Sequence, residues 1–150
     1  MKIMIHEFIL KPGIWLGEGI VKVSAVKEDL KFFTRWNIAP MGDPGQIECL
    51  QEIQIGGVSD IMLNQFSFYP IDSSAFKIEL ENQNLGVIVG EGVIKPQVIA
   101  WEFRMKELGF EGFEMYDLQE DGSYFLHAEY TTKDDFRTKI QGKIWKKMGK

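Results

Sequence analysis

The sequence predicts an all-β protein: one antiparallel, up-and-down sheet of about ten strands curled into a calycin-like barrel. Three observations carry that expectation. Apolar and polar residues alternate with a period of two along most of the 150 residues, the pattern of half-buried strands. Turn-forming clusters interrupt the alternation at short intervals. A Gly-x-Gly pair lies inside each of two long apolar segments, where glycine weakens a strand unless the chain bends or another backbone approaches closely.

In chain order, a lead-in over 1–12 ends at Pro12-Gly13. Strands are expected at 13–24, 30–39, 46–55, 60–69, 75–82, 86–95, 97–105, 110–118, 123–131 and 136–146. The alternation is clearest where Phe76, Ile78 and Leu80 face away from Lys77, Glu79 and Glu81. It is equally clear where Ile99, Trp101, Phe103 and Met105 oppose Glu102 and Arg104, and where Ile140, Gly142 and Ile144 oppose Lys139, Gln141 and Lys143. Cys49 runs in phase with Ile47, Ile53 and Ile55 and reads as a small buried hydrophobe. Segments 30–39 and 110–118 alternate ambiguously, so either face fits the interior.

Turns fall at Met41–Gly45, Gly56-Gly57, Pro70–Ser74, Asn82–Asn84, Lys95-Pro96, Leu108-Gly109, Asp121-Gly122 and Thr132–Asp135. Asp-Gly between two alternating runs is a strong hairpin signal, because both residues tolerate positive φ. Helical spacing is confined to Ile3–Leu10 and Val26–Leu30. Connections this short exclude crossover helices, so successive strands pair antiparallel. Closing the sheet removes its two edges; a two-sheet sandwich is the competing arrangement. The runs Gly17-Glu18-Gly19 and Gly90-Glu91-Gly92 favour the barrel, since a strongly coiled sheet needs such corners.

Eleven Phe and four Trp supply rings enough for a sizeable interior. A net charge of −5 argues against nucleic acid as a partner and against docking on anionic membrane. The basic stretch from Lys139 to Lys150 alternates with apolar residues and reads as a solvated strand face and tail. Cys49 is the single cysteine, which leaves no intramolecular disulfide and no thiolate metal cluster. Charge breaks the first eight residues, so no secretory leader is expected. No run approaches the ~18–20 apolar residues that cross a bilayer. One soluble, cytoplasmic domain is the resulting expectation.

Gly13-Ile14-Trp15 opens the first strand after a short lead-in, and in this position it resembles the calycin superfamily of lipocalins and fatty-acid-binding proteins. The resemblance implies that Trp15 plugs the closed end and that a basic residue of the last strand packs across its ring. Arg137 is the residue chosen for that role, with Lys139 as the alternative; a cation over an indole is favourable by about 0.5–2 kcal/mol. Gly13, Trp15 and Arg137 then form a structural closure. The longer run Gly13–Gly19 is similar to the opening of nitrobindin-type calycins, whose barrels have ten strands and few helices. In nitrobindins the haem-ligating His lies close to the C-terminus, whereas His127 falls on the penultimate strand. No haem, other cofactor or metal is therefore expected.

The two histidines, His6 and His127, have no metal-motif spacing. No Ser sits in a nucleophile elbow, and the two Gly-Glu-Gly runs are not phosphate cradles. Glu18 and Glu91 qualify as an acid–base pair only if their strands are neighbours. The aromatic set points instead to a pocket for a small, largely apolar ligand. Arg35, Trp36, Trp101, Phe103, Tyr116 and His127 are its expected lining, and Asn37, Gln51, Gln65 and Arg104 are further polar anchors. The leading expectation is a non-catalytic binding barrel. A protein-interaction or structural module with a filled core is the alternative, and an enzyme using Glu18, Glu91 or His127 is the third.

Overall fold

The computed structural model describes residues 6–43, 45–56, 61–71, 74–132 and 136–148. Ten strands run β1 (Gly13–Val23), β2 (Leu30–Ile38), β3 (Ile47–Ile55), β4 (Ile61–Tyr69), β5 (Ala75–Asn82), β6 (Gly86–Lys95), β7 (Val98–Met105), β8 (Phe110–Leu118), β9 (Tyr124–Thr131) and β10 (Arg137–Lys146). Each pairs antiparallel with its sequence neighbours, and β1 also pairs with β10. The sheet is thus a closed up-and-down barrel, and the sandwich alternative falls away. Among the described residues no α-helix occurs, only a single 3-10 turn at Lys106–Leu108.

Strand positions match the expected ones to within a residue at most ends, because turn chemistry sets where each alternating run stops. Asp60, Gly57, Asp72, Ser73 and Lys133–Asp135 lie outside the described residues. Neither short stretch of helical spacing forms a helix among the described residues. Of Ile3–Leu10, residues 3–5 lie outside the described residues, and Glu7–Leu10 form a turn closed by the Leu10 and Lys11 amides donating to the Glu7 carbonyl. Val26–Lys27–Glu28–Asp29 is the loop between β1 and β2, too short to bury a helical face against a barrel already closed.

One end of the bore is sealed. Phe8, fully buried, packs on Trp15, Trp36, Tyr116 and Tyr124, with ring centroids 4.8–5.5 Å apart. The turn that carries it is tied down on both sides. His6 Nε2 lies 2.5 Å from the Lys95 carbonyl and Nδ1 lies 2.7 Å from the Tyr124 hydroxyl. Because a carbonyl only accepts, Nε2 carries a hydrogen. Lys146 donates to Glu7 at 2.8 Å and holds that carboxyl below the usual carboxylate range. Ile9 adopts φ +59, a left-handed conformation that costs a β-branched residue on the order of 1–3 kcal/mol. Burial of Phe8 and Ile9 offsets it, at about 1.5–3 kcal/mol per side chain.

The paired glycines sit where backbones and rings crowd. Gly19 lies opposite Gly142 in the β1–β10 ladder. A Cβ on Gly19 would come within 2.1 Å of the Gln141 carbonyl oxygen, and one on Gly90 within 2.1 Å of the Glu102 carbonyl oxygen. The Gly-x-Gly runs therefore mark close approach between neighbouring strands inside a tightly coiled wall.

The expected closure by Arg137 does not form. Antiparallel pairing places Lys146 opposite Trp15 and Thr138 opposite Val23, so Arg137 lies at the far end of the barrel, its amide donating to Ser24. Phe8 takes the place the cation was expected to fill.

Candidate functional site

Register decides which side chains enter the bore. In β2 the inner face is Phe32, Thr34, Trp36 and Ile38, which leaves Arg35 and Asn37 exposed on the outer wall. In β8 the inner face is Phe110, Gly112, Glu114 and Tyr116. In β9 it is Tyr124, Leu126, Ala128 and Tyr130, so His127 points outward. His127 sits against Phe113 and its Nε2 lies 2.9 Å from Glu129. Arg35 and His127 are thus corrected: a period of two gives each strand one inner face, and larger aromatic neighbours occupy it. Trp36, Trp101, Phe103 and Tyr116 are brought together inside, all buried. Gln51 is the one further anchor that faces inward; Gln65 and Arg104 face out. Glu18 and Glu91 lie on β1 and β6, which are not neighbours, and they form no carboxylate pair.

At the end opposite the Phe8 seal the inner-face residues keep partial solvent contact. Alternation puts Met62 on the inner face with Asn64, Phe66 and Phe68, yet Met62 is 37% exposed. Leu30, Ile55, Met105, Tyr130, Thr138 and Ile140 are inner-face residues that keep partial solvent contact as well. Most of these residues stand at or near strand ends, and Leu30, Ile55, Met105, Tyr130 and Ile140 pack in part against the core, so together they form an apolar rim at this mouth of the barrel.

Two polar structures lie beneath that mouth, on opposite walls. On one wall Asn82 donates to Asn64 at 2.7 Å, Asn64 to Gln51 at 3.1 Å, Gln51 to Thr34 at 3.0 Å, and Thr34 to the Glu52 carbonyl at 3.0 Å. All four bonds run in one sense, so each polarises the next. On the other wall Glu114 accepts from the Tyr116 hydroxyl at 2.5 Å and from the Tyr130 hydroxyl. Gly112 makes this possible: a Cβ there would strike the Tyr130 ring at 2.1 Å. With none, the ring lies back over β8 and stacks on Phe110 at 5.5 Å.

Burial raises the Glu114 carboxyl above the usual range, opposed by the hydrogen bonds from Tyr116 and Tyr130. The Trp101 indole N–H acts in the same opposing sense, although it falls short of hydrogen-bond geometry with any acceptor. Tyr116 and Tyr130 are pushed well above the ordinary phenol value, by burial first and then by the adjacent Glu114. A raised native carboxyl holds its proton to higher pH than the unfolded chain does. Its contribution is then fully favourable below the unfolded value of 4.5 and is lost as pH rises towards the native value. Glu114→Gln removes that ionisation; its amide oxygen accepts from one tyrosine hydroxyl and its NH2 donates to the other, so both contacts can persist with one reversed. We expect the variant to be more stable than the parent at pH 8, with the gap closing towards pH 4, as read from thermal unfolding at each pH. A gap that stays constant with pH would contradict the assignment.

Sequence reasoning missed Glu114, Tyr130, Thr34, Asn64 and Asn82. For Glu114 a signal existed. Tyr124, Leu126, Ala128 and Tyr130 alternate cleanly, and the Asp121-Gly122 turn fixes the hairpin register, which sets Glu114 opposite Ala128.

Three concavities lie on the outer surface. A groove of about 680 Å³ crosses β5–β8, with Ala75, Val93, Ala100, Phe113 and Met115 among its lining. A second of about 460 Å³ adjoins it around Glu91, Glu102 and Arg104. The third, about 580 Å³, lies at the sealed end by Trp15 and Lys146. Among the described residues no three His, Cys, Asp or Glu side chains converge to hold a metal ion. No helix is long and apolar enough to cross a membrane. Cys49 is buried, and that burial raises its thiol well above the usual value.

No family model matches the chain, and no curated protein matches it in sequence. Among solved structures, it is similar to the S-type phycobiliprotein lyase CPES from Guillardia theta, with a TM-score of 0.70 at 11% identity. The match covers 95% of this chain and 92% of that one. At this identity the likeness establishes the barrel fold.

Proposed function

We propose that the chain is a non-catalytic, lipocalin-like binding protein that takes a small, largely apolar ligand through the end of its barrel opposite the Phe8 seal. The observation that carries this is the asymmetry of the bore. One end is stoppered by Phe8 and Trp15, while inward Met62 and its neighbours meet solvent at the other. Apolar walls with a few convergent polar groups are the usual form of a small-molecule site. The polar groups are Glu114, Tyr130 and the Asn82–Thr34 ladder. The structural neighbour's name, a phycobiliprotein lyase, adds a bilin-type ligand as one member of this class.

Titration with N-phenyl-1-naphthylamine, an uncharged fluorescent probe, tests the reading. We expect saturable one-to-one binding with a dissociation constant of about micromolar, near −8 kcal/mol. Thr138→Trp, which places a large ring across the mouth, should weaken binding about tenfold without lowering the melting temperature. Biliverdin, followed by its visible absorption, is the companion probe for the bilin-type case. Absence of saturable probe binding, or equal binding by Thr138→Trp, would overturn the proposal.

A second reading rests on the 680 Å³ outer groove. Val93 and Met115 are 42% and 36% exposed there beside Ala100 and Phe113. Exposed apolar surface of this kind suits a protein-interaction module; tight probe binding that Thr138→Trp leaves untouched favours it.

A further inference from the structure

β6 spans Gly86–Lys95, yet it pairs with β7 only over Gly90–Lys95. Towards the rimmed end the two strands part. β6 stays on β5 as far as Gly86, opposite Asn82, and β7 stays on β8 as far as Met105, opposite Phe110. A notch therefore opens in the wall, with Gly86–Val89 on one side and Arg104–Met105 on the other. In an antiparallel strand alternate residues aim both backbone groups at one neighbour, so half of those along Gly86–Val89 aim into the notch. Among the described residues no strand, turn or side chain bonds to them.

Strand edges are ordinarily blunted by lysine, proline, a bulge or a covering loop. This one reads Gly86-Val87-Ile88-Val89, with no charge and no proline, and Val87 and Val89 are each 51% exposed. The outer concavity of about 460 Å³ lies at the head of the notch, between Val89 and Gly90 on one side and Glu102 and Arg104 on the other. The surface around it is acidic. Glu79 and Glu81 stand opposite Val89 and Val87 on β5, and Glu91 stands directly opposite Glu102. Against these four carboxylates the same strands set Lys77 and Arg104, and Arg104 is already paired with Glu102 at 3.4 Å.

We infer that the notch takes an extended peptide of another protein, which adds to β6 as a strand along Gly86–Val89 and carries lysine or arginine on its outward side. Main-chain hydrogen bonds give such a contact its affinity, and alternate side chains give its selectivity. A second copy of the chain suits the place poorly. Its own β7 would flank its edge, and pairing two such edges would bring both sets of glutamates together, where like charges repel. The inference concerns the outer wall and stands whether or not the bore takes a ligand.

A fluorescein-labelled hexapeptide amide of alternating lysine and valine, followed by fluorescence anisotropy, tests this. We expect saturable binding, weakened about tenfold or more when glutamate replaces lysine in the same peptide. Two N-methylated forms, each blocking every second amide, separate strand pairing from charge alone. The form that blocks the amides facing β6 should lose binding, and the other should keep it. Val89→Lys sets a guarding charge on the edge and should weaken binding about tenfold. Phe125→Lys adds the same charge on the outer face of β9, at a residue 53% exposed, and should leave binding within about twofold. Absence of saturable binding, equal binding of the two methylated forms, or equal effects of the two lysine variants would overturn the inference. So would a parent protein that sediments as a dimer which Val89→Lys dissolves, since a second copy would then hold the edge. If circular dichroism shows that Val89→Lys does not fold, the methylated peptides decide the matter on the parent protein.

Discussion

Replacing Gly19 with alanine is expected to destabilise the barrel by about 3 kcal/mol or more, a large share of the ~5–15 kcal/mol that holds a domain of this size together. The added methyl has nowhere to go. Its position is 2.1 Å from the Gln141 carbonyl oxygen, 2.6 Å from the Gly142 Cα and 2.8 Å from the Phe32 ring. Two of those three contacts are backbone of the neighbouring strand. Relief therefore requires β1 to move away from β10, along the pair that closes the barrel. A ring alone would turn aside at modest cost, but a backbone carbonyl in a ladder does not move without its hydrogen bonds. Gly90→Ala meets the same obstacle at Glu102 and should behave alike. Ile20→Ala is the control, because Ile20 is 41% exposed on the outer face and should change stability by about 0.5 kcal/mol or less. Chemical denaturation of the three variants checks the ranking; a Gly19→Ala loss no larger than the control's would refute the close-approach account.

Phe8→Ala should cost about 3–5 kcal/mol, the range for removing a fully buried ring, and lower the melting temperature by about 10 °C or more. Phe8 is fully buried and meets four aromatic rings at the sealed end. Those rings come from two strand pairs, β1–β2 and β8–β9, that are not neighbours of each other in the sheet, so one side chain ties four strands together. The loss is compounded because the strained backbone of Ile9 is held in place by this same packing. Without the ring, the lead-in turn is held mainly by polar contacts, those of His6 and Glu7 among them. We therefore expect Trp15 and Trp36 fluorescence to shift to the red in Phe8→Ala under native conditions, as water reaches the indoles. Phe8→Leu should recover most of the stability. A variant that unfolds within about 2 °C of the parent would show that the seal lies elsewhere.

The layout of the sheet was legible because two local signals agreed along the whole chain. Alternation gave each strand, and turn residues such as Asp121-Gly122 and Lys95-Pro96 ended it. The buried rings of Trp101 and Phe103 were legible for the same reason, since they alternate with Glu102 and Arg104; Trp36 and Tyr116 lie on segments whose inner face the alternation left open. The site was only partly legible. Arg35 occupies a strand whose two faces are alike in polarity, and hydrophobicity cannot orient such a strand; His127 lies on the outer face of β9 with Phe125 and Glu129. Glu114 shares β8 with Phe113 and Met115, which are as apolar as its inward neighbours yet face the outer groove. Arg137 was misplaced because a residue's position along the last strand says nothing of which end of the barrel it reaches until the β1–β10 register is known.

By itself, then, the sequence determined what is encoded within ten residues or so: the class of fold, the number and bounds of the strands, the turns, and the glycines that permit close approach. Tertiary structure alone decided what depends on residues far apart in the chain meeting. That includes closure of β1 on β10, the seating of Phe8 over Trp15 where a cation was expected, and the burial of Glu114 between two tyrosines beneath the apolar rim. The physical reason is one of range. Backbone propensity and side-chain periodicity act between neighbours, whereas register, burial and charge compensation are properties of a pair of strands or of the whole bore.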